Sequence, residues 1–220
     1  MFLPATDDDV PGIVTLMNRA YRGAGAAGWS TQEAYLSGDR ITEEVLRADL
    51  LAKPHASLLK WEDLEGGPLR GCVGIEPLND DVWYLGSLAT DPTLQNSGLG
   101  TTLLMGAEQW VRDRAGKRIR MHVVNVRDAL IAWYLRRGYY KTGESEPFPY
   151  GDDRFGPPLR DDLSFLVLEK DLIIQPHFRG KNAKSASECY RFRRYVPGAT
   201  LRRIVRSGPK AGASRACLEP

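Results

Sequence analysis

No apolar run in the 220 residues approaches the roughly 18 that a membrane-spanning helix needs, so a membrane partner is not expected. The N-terminus, Met1 to Asp9, lacks both the basic start and the apolar stretch of a secretory signal. Cysteine is scarce: Cys72, Cys189 and Cys217 are too few and too far apart for a disulfide framework or a zinc site. A reducing, cytoplasmic compartment and no metal are therefore expected. There is no internal repeat, and neither sign of charge dominates, because the net charge is +2.

That near-neutrality conceals a split. Residues 173–220 hold eleven basic and two acidic residues, a balance of +9. Residues 1–172 hold nineteen basic and twenty-six acidic residues, a balance of −7. The tail is poor in aliphatics and rich in Arg, Ser, Gly and Ala. Such a composition cannot bury enough surface to fold alone, so it is read as a disordered basic extension. Its arginines (Arg191, Arg193, Arg194, Arg202, Arg203, Arg206) interleave with Tyr190, Phe192 and Tyr195, a pattern that can hold phosphates and stack bases. Charge runs are more often simply solvated, so nucleic acid is set aside as a partner of the folded part.

Residues 1–172 form the expected domain. Thr6 or Asp8 can cap a helix carrying Val10, Ile13, Val14, Met17 and Tyr21 at helical spacing, with Pro11 tolerated in its first turn. Thr42-Glu43-Glu44 opens a second helix running to about Leu51. Ser57–Trp61 and Leu69–Ile75 read as a hairpin, and Val82–Thr90 as a longer strand. Leu99, Leu103, Ala107, Trp110 and Val111 make the apolar stripe of a helix ending at Gly116. Arg118–Val124 alternates as a strand, and Arg127–Arg137 is helical up to Gly138. Tyr139–Gly143 and Leu163–Leu168 are further strands around a Pro/Gly-rich loop, Ser145 to Arg160. Interleaved strands and helices give an α/β (α+β) sheet with helices on both faces.

The chemistry concentrates where the strand Val82–Thr90 runs through a short connection into Gly98-Leu99-Gly100 and a helix. A helix start leaves backbone N–H groups unpaired and carries partial positive charge, which suits a phosphate or pyrophosphate. The third glycine of a dinucleotide fingerprint and the lysine of a P-loop are both missing. An ordinary strand–turn–helix junction would also explain the two glycines.

The longer string Asp91-Pro92-x-x-Gln95-x-x-Gly98-x-Gly100 resembles the acetyl-CoA motif of the GNAT N-acetyltransferase superfamily. Trp133-Tyr134-Leu135-Arg136-Arg137-Gly138-Tyr139 is similar to that family's Tyr-x-x-x-Gly-Phe signature. The resemblance implies a mixed sheet of about six to seven strands flanked by about four helices, splayed between its central strands. It implies acetyl-CoA as co-substrate, with the amides of Gln95, Asn96, Ser97, Gly98, Leu99, Gly100 and Thr101 on the pyrophosphate. Leu88, Ala89 and Thr90 would lie along the pantetheine arm, with an N–H near Ala89 facing the thioester oxygen.

Tyr134 would protonate the departing thiolate, a phenol near pKa ~10 meeting a thiol near ~8.5. Many family members carry Asn where this chain has Arg127, and Asn125 is out of register, so Arg127 would contact the cofactor instead or that contact is absent. For the general base the candidates are Glu76, at a strand end, and His122, read from its strand position as facing a covering helix.

The loops 23–40 and 145–160 would select the acceptor. Phe148, Tyr150 and Asp152, with Trp29 and Glu33 opposite, could line a pocket for a cationic amine through ring faces and carboxylates. A well-packed surface loop is the alternative. The implied activity is acetyl transfer to a primary amine, small molecule rather than protein, by direct attack in a ternary complex. The competing reading is a catalytically silent acyl-CoA-binding or regulatory protein. A homodimer is left open.

Overall fold

Local signals near the N-terminus decide where the first helix begins. The computed structural model describes residues 1–23, 32, 34–152 and 156–172, all inside one compact unit, Met1–Lys184. The Asp9 carboxylate accepts from the Thr6 amide at 2.7 Å and the Thr6 hydroxyl at 2.9 Å, so a short 3-10 turn, Asp7–Asp9, leads into α1, Val10–Arg22. Pro11 sits in the first turn of α1, where a missing N–H has no partner to lose. Thr42 caps α2, Glu43–Ala52, its hydroxyl accepting from the Val45 amide at 3.3 Å. Trp29, Glu33 and the basic tail lie outside the described residues.

Seven strands form one sheet: β1 Phe2–Pro4, β2 Ser57–Glu62, β3 Leu69–Pro77, β4 Val82–Thr90, β5 Arg118–Val124, β6 Tyr140–Pro147 and β7 Ser164–Asp171. Their order is β1-β2-β3-β4-β5-β7-β6. Neighbours pair antiparallel except β4 and β5, which are parallel. Parallel neighbours need a crossover, which α3, Leu99–Arg112, supplies. The fourth helix, α4, spans Asp128–Leu135.

Strand alternation sorts side chains onto two faces. On one face Val73, Ile75, Trp83, Leu85, Ile119, Met121 and Val123 pack with Leu104, Ala107 and Val111 of α3 and Ile131 and Tyr134 of α4. On the other, Leu58, Cys72 and Ala89 pack with Val10, Ile13, Met17 and Leu46 of α1 and α2. The α1–α2 cluster draws no residue from β5, β6 or β7. There the loops close a separate cluster of Tyr35, Leu36, Val124, Phe148 and Leu163.

Several boundaries differ by a few residues from those read in the sequence, and two of the differences have a visible cause. α3 stops at Arg112, not Gly116, because the left-handed turn is taken by Ala115 at φ 62°. Gly116 is required for space instead: a Cβ there would lie 2.6 Å from the Trp83 ring and 2.4 Å from Val111. β6 runs on to Pro147, past Gly143, because Ser145, Glu146 and Pro147 pair with Leu166, Phe165 and Ser164.

One buried acid ties the helical face together. Glu108 of α3 is 4 % exposed; it accepts from Lys170 of β7 at 2.7 Å and Arg112 at 3.2 Å, with the Tyr139 hydroxyl at 3.4 Å. Removing it strands a part-buried ammonium and a buried phenol. Glu108→Ala is expected to cost about 3 kcal/mol, which a melting curve would register as a midpoint lower by roughly 6–12 °C.

Candidate active site

β4 and β5 share register pairs over only three residues, Val82, Tyr84 and Trp83 meeting Arg118, Arg120 and Ile119. Beyond them the strands part. The cause lies in β4, where Ser87 adopts φ 52° and the register with β3 shifts between Cys72 and Gly74, the signature of a bulge that bends its strand. Past the bulge the Leu88 carbonyl accepts from the Tyr21 hydroxyl of α1 at 2.9 Å, so it is satisfied without a partner on β5.

The gap opens into a cavity of ≈ 480 Å³ that runs to the mouth of α3. Leu88, Ala89, Thr90, Gln95, Asn96, Gly98, Leu99, Gly100, Thr101, Arg127 and Tyr134 all line it. Gly98 stands at the N-cap with φ 84°, a backbone that favours glycine. The first-turn amides that follow have no intrahelical acceptor. A Cβ on Gly98 would meet nothing within 4 Å, and one on Gly100 would meet the Trp133 ring at 3.5 Å. Bulk at either position would therefore occupy the cavity.

Ser97 is an exception among the expected residues. It does not line the cavity, and its hydroxyl donates to the Leu94 carbonyl at 2.6 Å, fixing the turn before the helix. Asp91 also holds this turn. Burial works to raise its carboxyl, but the Thr93 hydroxyl and amide, with Arg19 and Arg70, outweigh that and hold it below the ordinary range. Ala89 lines the cavity on the edge of β4, opposite Cys72 of β3 in the register. Asn125 is occupied elsewhere: its side chain bridges the Asp162 carbonyl and the Ser164 amide.

Sequence reasoning missed the far wall. Trp133 and Arg137, one turn apart, line the cavity; the Arg137 guanidinium lies 3.6 Å from the Trp133 ring centroid and donates to the Thr101 hydroxyl at 2.7 Å and 3.2 Å. A Trp–Arg pair four residues apart in front of Gly138 was the available signal.

A second cavity of ≈ 400 Å³ lies on the sheet face that α1 and α2 leave bare, and Tyr21, Leu88, Arg127, Leu130 and Tyr134 line both. Tyr134 thus stands between the two. It packs edge-on against Trp133 and Tyr139, and burial raises its phenol strongly, with Tyr21 adding to this and Arg127 opposing it.

His122 lines the second cavity, and its ring contacts among the described residues are with strand residues, Tyr84 and Phe165, rather than with the covering helix expected from the sequence. It is on the strand face opposite Met121 and Val123, between the rings of Tyr84 and Phe165. Its Nε2 is 3.3 Å from Glu146. Burial lowers its pKa below the usual 6.5; Glu146 works against this, and Arg120 adds to it. Burial likewise pushes Tyr84 up to about 12.

Glu76, the other expected base, lines neither cavity; its carboxylate is held by the Lys53 ammonium at 2.7 Å. Phe148 and Asp152 line the second cavity as expected, whereas Tyr150 does not. The Tyr150 hydroxyl accepts from the Leu163 amide at 2.7 Å and so shapes the loop from outside.

Comparison with known proteins agrees with this architecture. The model of the Acetyltransferase (GNAT) family matches residues 15–139. Among solved structures, the ribosomal-protein-S18-alanine N-acetyltransferase from Escherichia coli superposes with a TM-score of 0.57 at 14% identity, covering 81% of this chain and 97% of that one. An N-acetyltransferase from Staphylococcus aureus Mu50 gives 0.56 at 15% identity, over 79% and 98%. An aminoglycoside 6'-N-acetyltransferase complexed with coenzyme A gives 0.55 at 16% identity, over 80% and 99%. At these identities the likeness is one of fold. No curated protein matches the sequence.

Proposed function

The chain belongs to the acetyltransferase (GNAT) family, and from that premise we propose that it transfers the acetyl group of acetyl-CoA to a primary amine by direct attack, with both substrates bound together. The observation that carries this reading is the parting of β4 from β5 beside a glycine-containing helix mouth, which leaves two cavities meeting at Tyr134. The residues present suit the co-substrate. Amides from Gly98 to Thr101, with Arg137 behind them, would hold its diphosphate, and the edge of β4 from Leu88 to Thr90 would lie along its arm. Acetyl-CoA supplies an acyl carbon already activated as a thioester.

The chain's own groups divide the proton work. An ammonium must lose a proton before it can attack. His122 takes that proton: burial keeps the imidazole neutral near pH 7, and Glu146 is placed to steady the charged ring that results. Tyr134, held protonated by burial, donates toward the sulfur as it leaves. Glu76 takes no part, since Lys53 occupies it.

Neighbours of the same fold are named for a ribosomal protein's alanine and for aminoglycosides, so fold alone does not choose the acceptor.

The test is the pH dependence of kcat/KM. The base form of His122 exists above its lowered pKa, so activity should fall as pH drops through a value below 6.5. His122→Gln should remove that limb and lower kcat/KM about 100-fold. An unchanged limb in the variant would remove His122 from the mechanism.

A further inference from the structure

Three tyrosines, Tyr21, Tyr84 and Tyr134, line the second cavity. The Tyr21 hydroxyl donates to the Leu88 carbonyl at 2.9 Å, and the mechanism above uses the Tyr134 hydroxyl on the leaving sulfur. Tyr84 has no task there. Its hydroxyl makes no hydrogen bond among the described residues, and its oxygen is not sealed in the interior as that of Tyr35 is.

A glycine decides where that hydroxyl points. A Cβ on Gly86 would lie 2.8 Å from Tyr84 Cε1 and 3.6 Å from both its Cζ and its hydroxyl oxygen. Residues two apart share a strand face, so the ring lies folded along β4 over Gly86, toward Ser87 and the bulge where β4 leaves β5. A larger residue at 86 would push the ring away. The ring also meets the His122 imidazole edge-on, at 5.3 Å between centroids and 66° between planes. Tyr84 does not line the first cavity, so it stands with His122 on the amine's side of the parting. Burial pushes its phenol up to about 12, which leaves a neutral oxygen able to accept a hydrogen bond near pH 7.

The reaction itself says which hydrogen bond that oxygen can take. Of the three protons on a primary ammonium, one passes to His122 before attack. The N–C bond then forms as the C–S bond breaks. A second proton leaves at that point and replaces, through solvent, the one Tyr134 gives to the CoA thiolate. The third stays on the amide nitrogen of the product. We propose, building on the acetyl-transfer reading above, that Tyr84 selects primary over secondary amines by accepting a hydrogen bond from the N–H that the product amide retains. A secondary amine keeps no such N–H. Its alkyl group would meet the phenol instead and leave that oxygen shut off from water and unpaired.

The experiment measures thiol release from acetyl-CoA by the full chain on matched primary and N-methyl amines, with calorimetry of acetyl-CoA binding alongside. The pairs are glycine and sarcosine, L-alaninamide and its N-methyl derivative, phenethylamine and N-methylphenethylamine, and putrescine and N,N′-dimethylputrescine. In the pair that serves best, kcat/KM should favour the primary member by on the order of 30-fold. Tyr84→Phe should shrink that preference below about fivefold, slowing the primary amine, sparing the N-methyl one and leaving acetyl-CoA affinity unchanged. Gly86→Ala, which keeps the phenol but displaces its ring, should shrink the preference as well. A wild-type protein indifferent within every pair, or a Tyr84→Phe variant that slows both members equally or keeps the preference, would overturn selection by Tyr84 and leave the transferase reading standing. Acetyl-CoA that fails to bind, or that binds and acetylates no amine, would remove that reading and the proposal with it.

Discussion

Gly100→Leu is expected to weaken acetyl-CoA binding at least ~100-fold, about 2.7 kcal/mol, while the protein stays folded. The position is helical, and a Cβ there makes only an ordinary contact with Trp133 at 3.5 Å. A helix-forming residue is therefore tolerated by the backbone and even favoured over glycine. The remaining side-chain atoms can go only into the cavity bounded by Trp133 and the first-turn amides, where the diphosphate is placed. Gly98 is a poorer probe, since its φ of 84° would strain any other residue and confuse misfolding with blockage. Calorimetry of acetyl-CoA binding, paired with a melting curve, checks the expectation; unchanged affinity in a folded variant would contradict it.

Tyr134→Phe should lower kcat on the order of 100- to 1,000-fold while shifting the acetyl-CoA dissociation constant less than about threefold. Only the hydroxyl is lost. The ring keeps its edge contacts with Trp133 and Tyr139, at centroid distances of 5.0 Å and 5.5 Å, so neither wall should move. A loss confined to kcat separates proton donation from packing. A wild-type protein that binds acetyl-CoA yet turns over no amine would favour the silent acyl-CoA-binding alternative, and steady-state kinetics on the best acceptor decides the matter.

The helix mouth was legible because its signals are local. The alternation of β4, the break at Asp91-Pro92 and the glycines at 98 and 100 all fall within one stretch of chain. The bulge that opens the slot was not legible. Its positive φ falls on Ser87, beside a glycine that does not use it, and nothing in the composition of β4 marks the bend. Strand parity correctly separated His122 from Met121 and Val123. Which face the helices leave bare depends on α1 and α2 clustering with β2, β3 and β4 alone, a tertiary choice.

The position of Glu76 outside both cavities was hidden for a similar reason. The Lys53 that holds it lies 23 residues away, just beyond the end of α2. That Arg40 lines the second cavity went unnoticed because its guanidinium is placed over Tyr21, which reads in the sequence as one more apolar position of α1.

Backbone amide hydrogen exchange with and without acetyl-CoA tests the central claim most directly. First-turn amides of α3 have no intrahelical acceptor and should exchange quickly in the free protein. On adding acetyl-CoA, protection should appear at residues 98–101, with further slowing along 88–90 at the edge of β4. Saturable binding that leaves those amides exchanging as before, or that protects a different part of the sheet, would contradict the placement of the co-substrate and the mechanism built on it.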